Sequence, residues 1–280
     1  KNYKNFDLIL FTMKLEIKIE NEIKKQISKF PFKKGTIVYV AGNTFNFGIN
    51  SEDIKKFCKY FLTYLQKRIG PSGGVIVPTA TLNLIKNKKV YDKKKTKSYT
   101  MGTFSEHVRG QKKSYRSDHP LWSFSGLGTK VKKILKNVSY SAYGEGSVFD
   151  KLMNYKTFFI CLGEPNTAIG MIHYVENLYG VPYRFNKEFY IKIRKNNKIT
   201  SSYSLLGVRF KSKNMIGDGN KQIVSKLKKM KTFTKFKFKK GVIYICEYQK
   251  IVKNLKLIFA NNPRVWLRNK NQIQKTYLKS

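Results

Sequence analysis

The sequence predicts an α/β fold in which a sheet is covered by helices. Three runs, TIVYVAG (36–42), GGVIVPTAT (73–81) and TFFICLG (157–163), are apolar at consecutive positions, as strands buried on both faces are. A helical pattern at 51–68 joins the first two runs, which gives the strand, helix, strand order typical of an α/β layer fold. Because no change in composition marks a boundary, we expect one domain over residues 1–280.

Periodicity assigns the remaining segments. Isoleucines at helical spacing predict a helix over 17–29, and a helix at 168–179 precedes an alternating stretch, PYRFNKEFYIKI. The segment KNKKVYDKKKTKSYT (86–100) is too basic for a core element, so it predicts a surface loop. Residues 194–240 are rich in Lys, Ser and Asn, with helical spacing at 220–229, and a strand GVIYIC and an amphipathic helix at 247–260 complete the pattern. The predicted N-caps of two helices are Ser51 and Ser147.

The charge balance is strongly basic. The chain has 57 basic and 16 acidic residues, a formal net charge of +41, which is typical of proteins with anionic partners. Only eight of the basic residues are arginine, however, and lysine solvates surfaces whereas arginine makes bidentate phosphate and base contacts. General lysine richness is therefore favoured over a dedicated polyanion groove, and nucleic acid is not the expected partner.

The cysteines and the hydropathy indicate the cellular environment. Cys58, Cys161 and Cys246 are odd in number and each lies in an apolar run, which predicts buried free thiols in a reducing compartment. Their spacing matches no zinc motif, so no metal site is expected. No run approaches the roughly 20 apolar residues that cross a bilayer. We expect a cytoplasmic protein, and a homodimer stays open.

The side chains suited to proton transfer cluster in one part of the chain. All three histidines fall within residues 102–176. In the segment IHYVE, His173 and Glu176 are three residues apart on a predicted helix, so the carboxylate can orient the imidazole as a base. Taken alone, this spacing is also that of a surface ion pair, as it is for Glu106 and Arg109. The sequence has no nucleotide-phosphate loop and no nucleophile elbow.

Seven segments in order, VAGNTFNFG, GGVIVPT, GTFSEHVR, RSDHPLWS, GEGSVFDKL, FICLG and HYVE, resemble the aminoglycoside 3-N-acetyltransferase family. The resemblance covers about residues 36–185 and, more faintly, the C-terminal helix. Its most specific parts are Arg-Ser-x-His-Pro-x-x-Ser and His-x-x-Glu. It implies a layered α/β sandwich with a central mixed sheet flanked by helices, and acetyl-CoA as cosubstrate in a cleft.

The resemblance also implies roles for individual residues. His173 would be the base that faces the acceptor amine, and Glu176 its carboxylate neighbour. Backbone N–H groups near Asn43 would stabilise the oxyanion. The residues that would contact the cofactor are a turn, Gly42, Asn43 and Thr44, and a loop, Arg116, Ser117, His119 and Ser123.

The chain departs from the family pattern at two places near this expected site. The family's turn reads His-Ser-Ser-Leu, whereas residues 41–44 read Ala-Gly-Asn-Thr. Gly170 stands where the family commonly has threonine. Residues 189–240 do not align with the family, so the resemblance predicts no role for them.

We expect a CoA-dependent N-acetyltransferase that acts on the amine of an amino sugar. An aminoglycoside is a polycation and needs several carboxylates around it, which favours a nucleotide- or glycan-linked sugar here. A pocket built from Glu106, Glu145, Glu164 and Glu176 would reverse that preference. The alternatives are an aminoglycoside 3-N-acetyltransferase of antibiotic resistance, transfer to a hydroxyl, and a catalytically degenerate anion-binding module.

Overall fold

The computed structural model describes residues 18–210, 214–215 and 219–268. The strands are β1 (Ile37–Gly42), β2 (Gly74–Pro78), β3 (Tyr91–Asp92), β4 (Tyr115–Arg116), β5 (Phe124–Leu127), β6 (Thr157–Leu162), β7 (Arg184–Lys195), β8 (Lys198–Arg209), β9 (Thr234–Phe238) and β10 (Gly241–Glu247). The α-helices are α1 (18–28), α2 (Ser51–Ile69), α3 (Leu84–Asn87), α4 (Thr103–Arg109), α5 (Thr129–Leu135), α6 (Val148–Leu152), α7 (Met171–Leu178), α8 (Gly219–Lys229) and α9 (Tyr248–Asn261).

The main sheet is mixed, as the resemblance implies. Its seven strands lie in the order β4-β5-β2-β1-β6-β10-β9. The central strand β1 is parallel to β2 and to β6, while the outer pairs are antiparallel. The carboxyl ends of β2, β1 and β6 therefore meet at one edge of the sheet, the usual place for a ligand in an α/β fold.

Helices cover both faces of this sheet. Along β1, Tyr39 packs into one hydrophobic core, while Val38 and Val40 pack into the core on the opposite face. The first core also contains apolar residues of α5 to α9, and the second those of α1, α2 and α4. This double burial explains the uninterrupted apolar runs of β1 and β6 and confirms the predicted fold class.

The second sheet differs from the sequence-based expectation. β7 and β8 form a hairpin of twelve residues a side, and β3 adds to β7 in parallel. The composition of the segment from 194 predicts no strand there, and that of 86–100 predicts only a surface loop. The structure instead places β8 in the former and β3 in the latter, with Tyr91 buried at 3% exposure.

Several local predictions can be compared with the structure. The N-cap of α2 is Asn50, whose side-chain oxygen accepts the Asp53 N–H at 2.7 Å, so the prediction of Ser51 is wrong by one residue. Ser147 caps α6 as predicted. Residue 17 of the predicted first helix, and both ends of the predicted 1–280 domain, lie outside the described residues.

All three cysteines are buried free thiols, as expected. Burial raises the pKa of Cys58 to about 12, so this thiol stays protonated at neutral pH. Among the described residues, no helix is long and apolar enough to span a membrane, and no group of three or more metal-binding side chains forms.

Candidate active site

The predicted base and its carboxylate meet on the first turns of α7. His173 Nδ1 lies 2.7 Å from Glu176 Oε2, and the carboxylate side chain is fully buried while 22% of the imidazole is exposed. The shorter contact, to the carboxylate, favours the tautomer in which Nδ1 carries the proton and donates it to Glu176. The lone pair of the neutral ring is therefore on Nε2, where a general base needs it.

Two further residues hold Glu176, and both were missed from the sequence. Arg184 Nε forms an ion pair with Glu176 Oε2 at 2.6 Å, and the Tyr183 hydroxyl donates to Glu176 Oε1 at 3.0 Å. Burial acts to raise the pKa of Glu176, but the adjacent His173 and Arg184 more than offset it and lower that pKa overall. Glu176 is therefore a carboxylate at neutral pH.

The same arginine acts on the imidazole. Arg184 Nη2 lies 3.0 Å from His173 Nδ1, and Nη1 is fixed by donating to the Gly207 carbonyl at 2.7 Å. Burial and the Arg184 charge together lower the pKa of His173, against the opposing effect of Glu176. The imidazole is therefore neutral, and available as a base, near pH 7.

His173 lies between two cavities. The first, the strand-end cavity, has a volume of about 270 Å³ and is lined by the ends of β1 and β2, by residues 100–102 and by residues 168–170. We call the pair of His173 and Glu176 the dyad. The second cavity, the dyad cavity, has a volume of about 170 Å³ and is lined by both members of the dyad and by Arg184. The groups in contact with Nδ1, Glu176 and Arg184, line the dyad cavity and not the strand-end cavity.

Glycine shapes the turn that faces His173. Gly42 ends β1 with φ +104°, and a Cβ at this position would overlap the Leu162 carbonyl oxygen of the neighbouring strand. Gly42 and Asn43 both line the strand-end cavity, as predicted for cofactor contacts, although that role remains a prediction. Thr44 is buried, and its carbonyl accepts the Phe47 N–H at the start of a 3₁₀ turn.

The predicted oxyanion site, the backbone N–H groups near Asn43, stays a prediction, and one of these groups already has a partner. The backbone N–H of Asn43 donates to the Leu162 carbonyl at 2.9 Å, because the β1 to β6 pairing continues one residue past the strand. This N–H is therefore occupied. The Asn43 side-chain oxygen accepts the Phe45 N–H at 3.1 Å and closes the turn.

The loop containing Arg116 is an internal clamp in this structure. Arg116 is 5% exposed, and it donates to the Ser123 hydroxyl at 3.0 Å and to the carbonyls of Thr79 and Thr96 at 2.7 and 2.6 Å. Ser117 accepts the N–H of Phe124, and its side chain is fully buried. The geometry thus gives Arg116, Ser117 and Ser123 a positioning role, and direct cofactor contact by them remains only a prediction.

His119 is also held by the backbone. Its Nδ1 accepts the N–H of Trp122 at 2.9 Å, and burial lowers the pKa of His119 to about 4, so the ring is neutral. It lines a third cavity, separate from His173. Trp122 does line the strand-end cavity. Sequence reasoning missed it, although it lies inside the specific Arg-Ser-x-His-Pro-x-x-Ser segment.

Asn220, on α8, also lines the strand-end cavity. Its Nδ2 donates to the Asn166 carbonyl at 2.9 Å, which fixes the amide orientation and leaves Oδ1 without a hydrogen-bond partner among the described residues. No sequence signal pointed to Asn220, because it lies in the segment that the resemblance does not cover.

The glutamates proposed as an acidic pocket do not converge. Glu106 is paired with Arg109, whose Nε lies 2.9 Å from both carboxylate oxygens, and Glu164 accepts from Lys228 Nζ at 2.8 Å. Glu145 is exposed, and Glu176 is neutralised by Arg184. No acidic residue is found among the described residues that line the strand-end cavity.

The model of the aminoglycoside 3-N-acetyltransferase family matches residues 53–260. The chain belongs to this family. Family membership makes the protein an acetyl-CoA-dependent N-acetyltransferase, which confirms the prediction of an enzyme with acetyl-CoA as cosubstrate. The oligomeric state and the cytoplasmic location stay predictions.

Solved structures share the fold of this family member at low sequence identity. The YokD protein from Bacillus subtilis is 18% identical, with a TM-score of 0.72 over 87% of this chain and 99% of that one. Aminoglycoside acetyltransferase AAC(3)-Xa is 14% identical, with a TM-score of 0.75 over 89% and 94%. AAC-IIIb, in a binary complex with CoASH, is 15% identical, with a TM-score of 0.73 over 86% and 96%. A search of the curated proteins finds no significant match.

Proposed function

We propose that the protein transfers an acetyl group from acetyl-CoA to the primary amine of an amino sugar, with His173 as the general base. The observation that carries this proposal is the 2.7 Å contact between His173 and Glu176 at the wall of the strand-end cavity. The nitrogen of the neutral amine attacks the thioester carbon and Nε2 accepts the amine proton. The C–S bond then breaks, and the CoA thiolate leaves and takes the proton back from the imidazolium, which gives the amide, free CoA thiol and a neutral His173. Glu176 keeps the ring in the required tautomer.

The strand-end cavity is suited to hold both reacting groups. Small residues at Ala41, Gly42, Gly102 and Gly170 leave its walls open, and His173 is the one charge-bearing or titratable side chain besides Tyr39 among its described lining residues. A cavity with few charges keeps water and competing ions away from the thioester. Asn220 lines the same cavity and its buried Oδ1 has no hydrogen-bond partner among the described residues, so we assign it as the acceptor for the second hydrogen of the amine once the sugar is bound.

The role of His173 is tested by His173→Ala. Loss of the base should lower turnover by roughly 10² to 10⁴ while the affinity for CoA stays near the wild-type value, because the imidazole takes a proton rather than binding the cosubstrate. The matched control is His107→Ala, which removes a histidine of α4 that hydrogen-bonds Gln111. Normal turnover in the His173 variant would disprove the assignment.

The acceptor is the part of the function on which two observations disagree. The family description names an aminoglycoside, and solved relatives are described with gentamicin and with sisomicin. The charges of this chain favour an amino sugar with fewer positive charges, such as a nucleotide- or glycan-linked one. The net charge is +41, and no carboxylate lines the described part of the strand-end cavity.

Measurements of kcat/KM at two salt concentrations distinguish the two candidate acceptors. A positive field repels a polycationic drug and attracts a phosphorylated sugar, and salt weakens both effects as the Debye length falls from about 10 Å at 0.1 M to about 3 Å at 1 M. We expect kcat/KM for a UDP-amino sugar to exceed that for an aminoglycoside and to fall with salt. Efficient acetylation of the aminoglycoside, with the nucleotide sugar inert, would establish the drug as the acceptor.

A further inference from the structure

The base of the strand-end cavity is apolar, whereas its mouth is polar. The buried residues that line it are all apolar or aromatic: Tyr39, Ala41, Pro78, Ala168 and Ile169. The exposed ones, Asn43 and Thr100, are polar, and His173 lies between these extremes with 22% of its imidazole exposed. A group held at His173 can therefore extend away from solvent into an apolar base.

Alanine at position 41 widens this base, and aromatic rings close it. Tyr39 and Ala41 are alternate residues of β1, so both side chains lie on the same face of the sheet, in the first core. The family pattern has histidine at position 41, where this chain has only a methyl group. A Cβ at Gly170 would lie 2.9 Å from Phe149 Cζ and 3.7 Å from the Tyr39 hydroxyl oxygen. The base is therefore wide at Ala41 and ends at two aromatic rings beside Gly170.

The size of the cavity exceeds what an acetyl group requires. Its volume is about 270 Å³, whereas an apolar protein cavity of about 150 Å³ holds the six carbons of benzene. An acetyl group places only one methyl carbon beyond the thioester carbonyl. Even with the thioester and the attacking nitrogen in place, several further methylene groups fit in such a volume.

The described residues that line this cavity carry no charge at neutral pH. Burial and the Arg184 charge lower the pKa of His173, and burial raises the pKa of the Tyr39 hydroxyl, so both groups are neutral. A charged group in the base would lose its hydration without gaining a counter-ion. The base therefore suits a hydrocarbon chain and disfavours a chain that ends in a carboxylate.

We propose that the protein takes acyl-CoA donors with linear chains of four to six carbons in addition to acetyl-CoA, with the chain in the base between Ala41 and Ile169. This proposal rests on the strand-end cavity as the place of transfer. The amine nitrogen attacks the carbonyl carbon of butyryl-CoA, the C–S bond breaks, and the amine proton passes through His173 to the CoA thiolate. The products are the N-butyryl amide and free CoA thiol, so no further reactant is needed.

The test is calorimetric titration with acetyl-, butyryl-, hexanoyl- and decanoyl-CoA, which requires no acceptor. Each methylene that leaves water for an apolar site is worth about fourfold in affinity, so butyryl-CoA should bind roughly tenfold more tightly than acetyl-CoA. The gain should end at hexanoyl-CoA, because Tyr39 and Phe149 close the base. A chain that lay only on an apolar surface would continue to gain affinity up to decanoyl-CoA.

A control ligand and two variants locate the chain. Succinyl-CoA has the four-carbon length of butyryl-CoA but ends in a carboxylate, so it should bind no more tightly than acetyl-CoA. Ala41→Leu, which fills the base, should abolish the gain from acetyl-CoA to butyryl-CoA. Ala260→Leu, which adds the same side chain at an exposed position of α9, should keep that gain. Circular dichroism shows whether Ala41→Leu is folded, and if it is not, the wild-type series and succinyl-CoA still decide.

The proposal is overturned if butyryl-CoA binds no more tightly than acetyl-CoA, if the affinity rises steadily to decanoyl-CoA, if succinyl-CoA matches butyryl-CoA, or if a folded Ala41→Leu keeps the gain. These outcomes do not depend on the catalytic assignment, because His173→Ala should lose turnover and still bind butyryl-CoA more tightly than acetyl-CoA. Transfer is then measured by mass spectrometry of the amides formed from equal amounts of both donors with an acceptor that the protein acetylates. An N-acetyl product without an N-butyryl product would also overturn the proposal.

Discussion

Replacing Arg184 with methionine should move the acid limb of the pH profile to higher pH. The guanidinium contacts both members of the dyad, with Nη2 at 3.0 Å from His173 Nδ1 and Nε at 2.6 Å from Glu176 Oε2. Its positive charge disfavours the imidazolium form and so lowers the pKa of His173, in addition to the effect of burial. Without it, the buried carboxylate would lose the cation that is in direct contact with it.

The magnitude follows from Coulomb's law. Two unit charges about 4 Å apart interact by about 4 kcal/mol at an effective dielectric constant of about 20. One pKa unit corresponds to about 1.4 kcal/mol. Because the imidazole is 22% exposed and Glu176 screens the guanidinium, we expect roughly a third of that interaction to act on the ring. Loss of the guanidinium should therefore favour the imidazolium and raise the pKa of His173 in the variant.

The direction of the effect is fixed by the identity of the base. A lowered pKa keeps the imidazole neutral, so the wild-type kcat/KM should fall only below the ordinary histidine pKa of about 6.5. In Arg184→Met the loss should begin at a higher pH than in the wild type, because the pKa of His173 is no longer lowered by the Arg184 charge. Arg184→Lys, which retains the cation, should restore most of the wild-type profile.

The assay combines kcat/KM from pH 5 to 9 with an NMR titration of the ¹⁵N-labelled imidazole. The NMR titration reports the pKa of His173 even where turnover is weak, and circular dichroism confirms that the variant is folded. Arg68→Met is the matched control, because Arg68 donates to the Phe30 carbonyl, in the opposite core. A folded Arg184→Met protein with the wild-type imidazole pKa would refute the proposed electrostatic role.

Two further substitutions test positions that the sequence did not explain. Arg116→Lys should lower stability by about 3 kcal/mol, or roughly 6 to 12 °C in Tm, because a lysine cannot replace the guanidinium contacts to Ser123, Thr79 and Thr96. An unchanged Tm would show that the hydrogen bonds of Arg116 contribute nothing to the stability of the folded protein. Asn220→Leu should raise KM for the acceptor about three- to tenfold, the value of one hydrogen bond, without changing KM for acetyl-CoA. Equal increases in both KM values would indicate a general disturbance of the cavity instead.

Much of the main sheet could be predicted from the sequence because its signals are local. A strand buried on both faces must be apolar at every position, which made residues 36–42 and 157–163 recognisable. The contact between His173 and Glu176 was equally predictable, because they lie three residues apart on one helix and share a face whatever surrounds them. The cap of α2 was misplaced by one residue because Asn50 and Ser51 are both good capping residues.

The second sheet was much harder to predict from the sequence. The alternating stretch PYRFNKEFYIKI did mark β7, whose residues alternate between half-buried and exposed along much of the strand. β8 begins with four exposed residues and is rich in serine, so its first half has no buried face to produce an apolar alternation. Strand β3 depends on pairing with a segment about 100 residues further along the chain. A two-residue strand is too short to show an apolar alternation in the sequence. The surrounding lysines therefore suggested a loop.

The sequence by itself determined the fold class and the contact between His173 and Glu176, because each depends on residues close together in the chain. Only the tertiary structure decided which charges surround that base. Arg184 contacts the dyad from the start of β7. Arg116 donates hydrogen bonds to backbone carbonyls within the protein. Charge acts through space, and the distance between two side chains is set by how β7 packs on α7, which no local pattern of residues records.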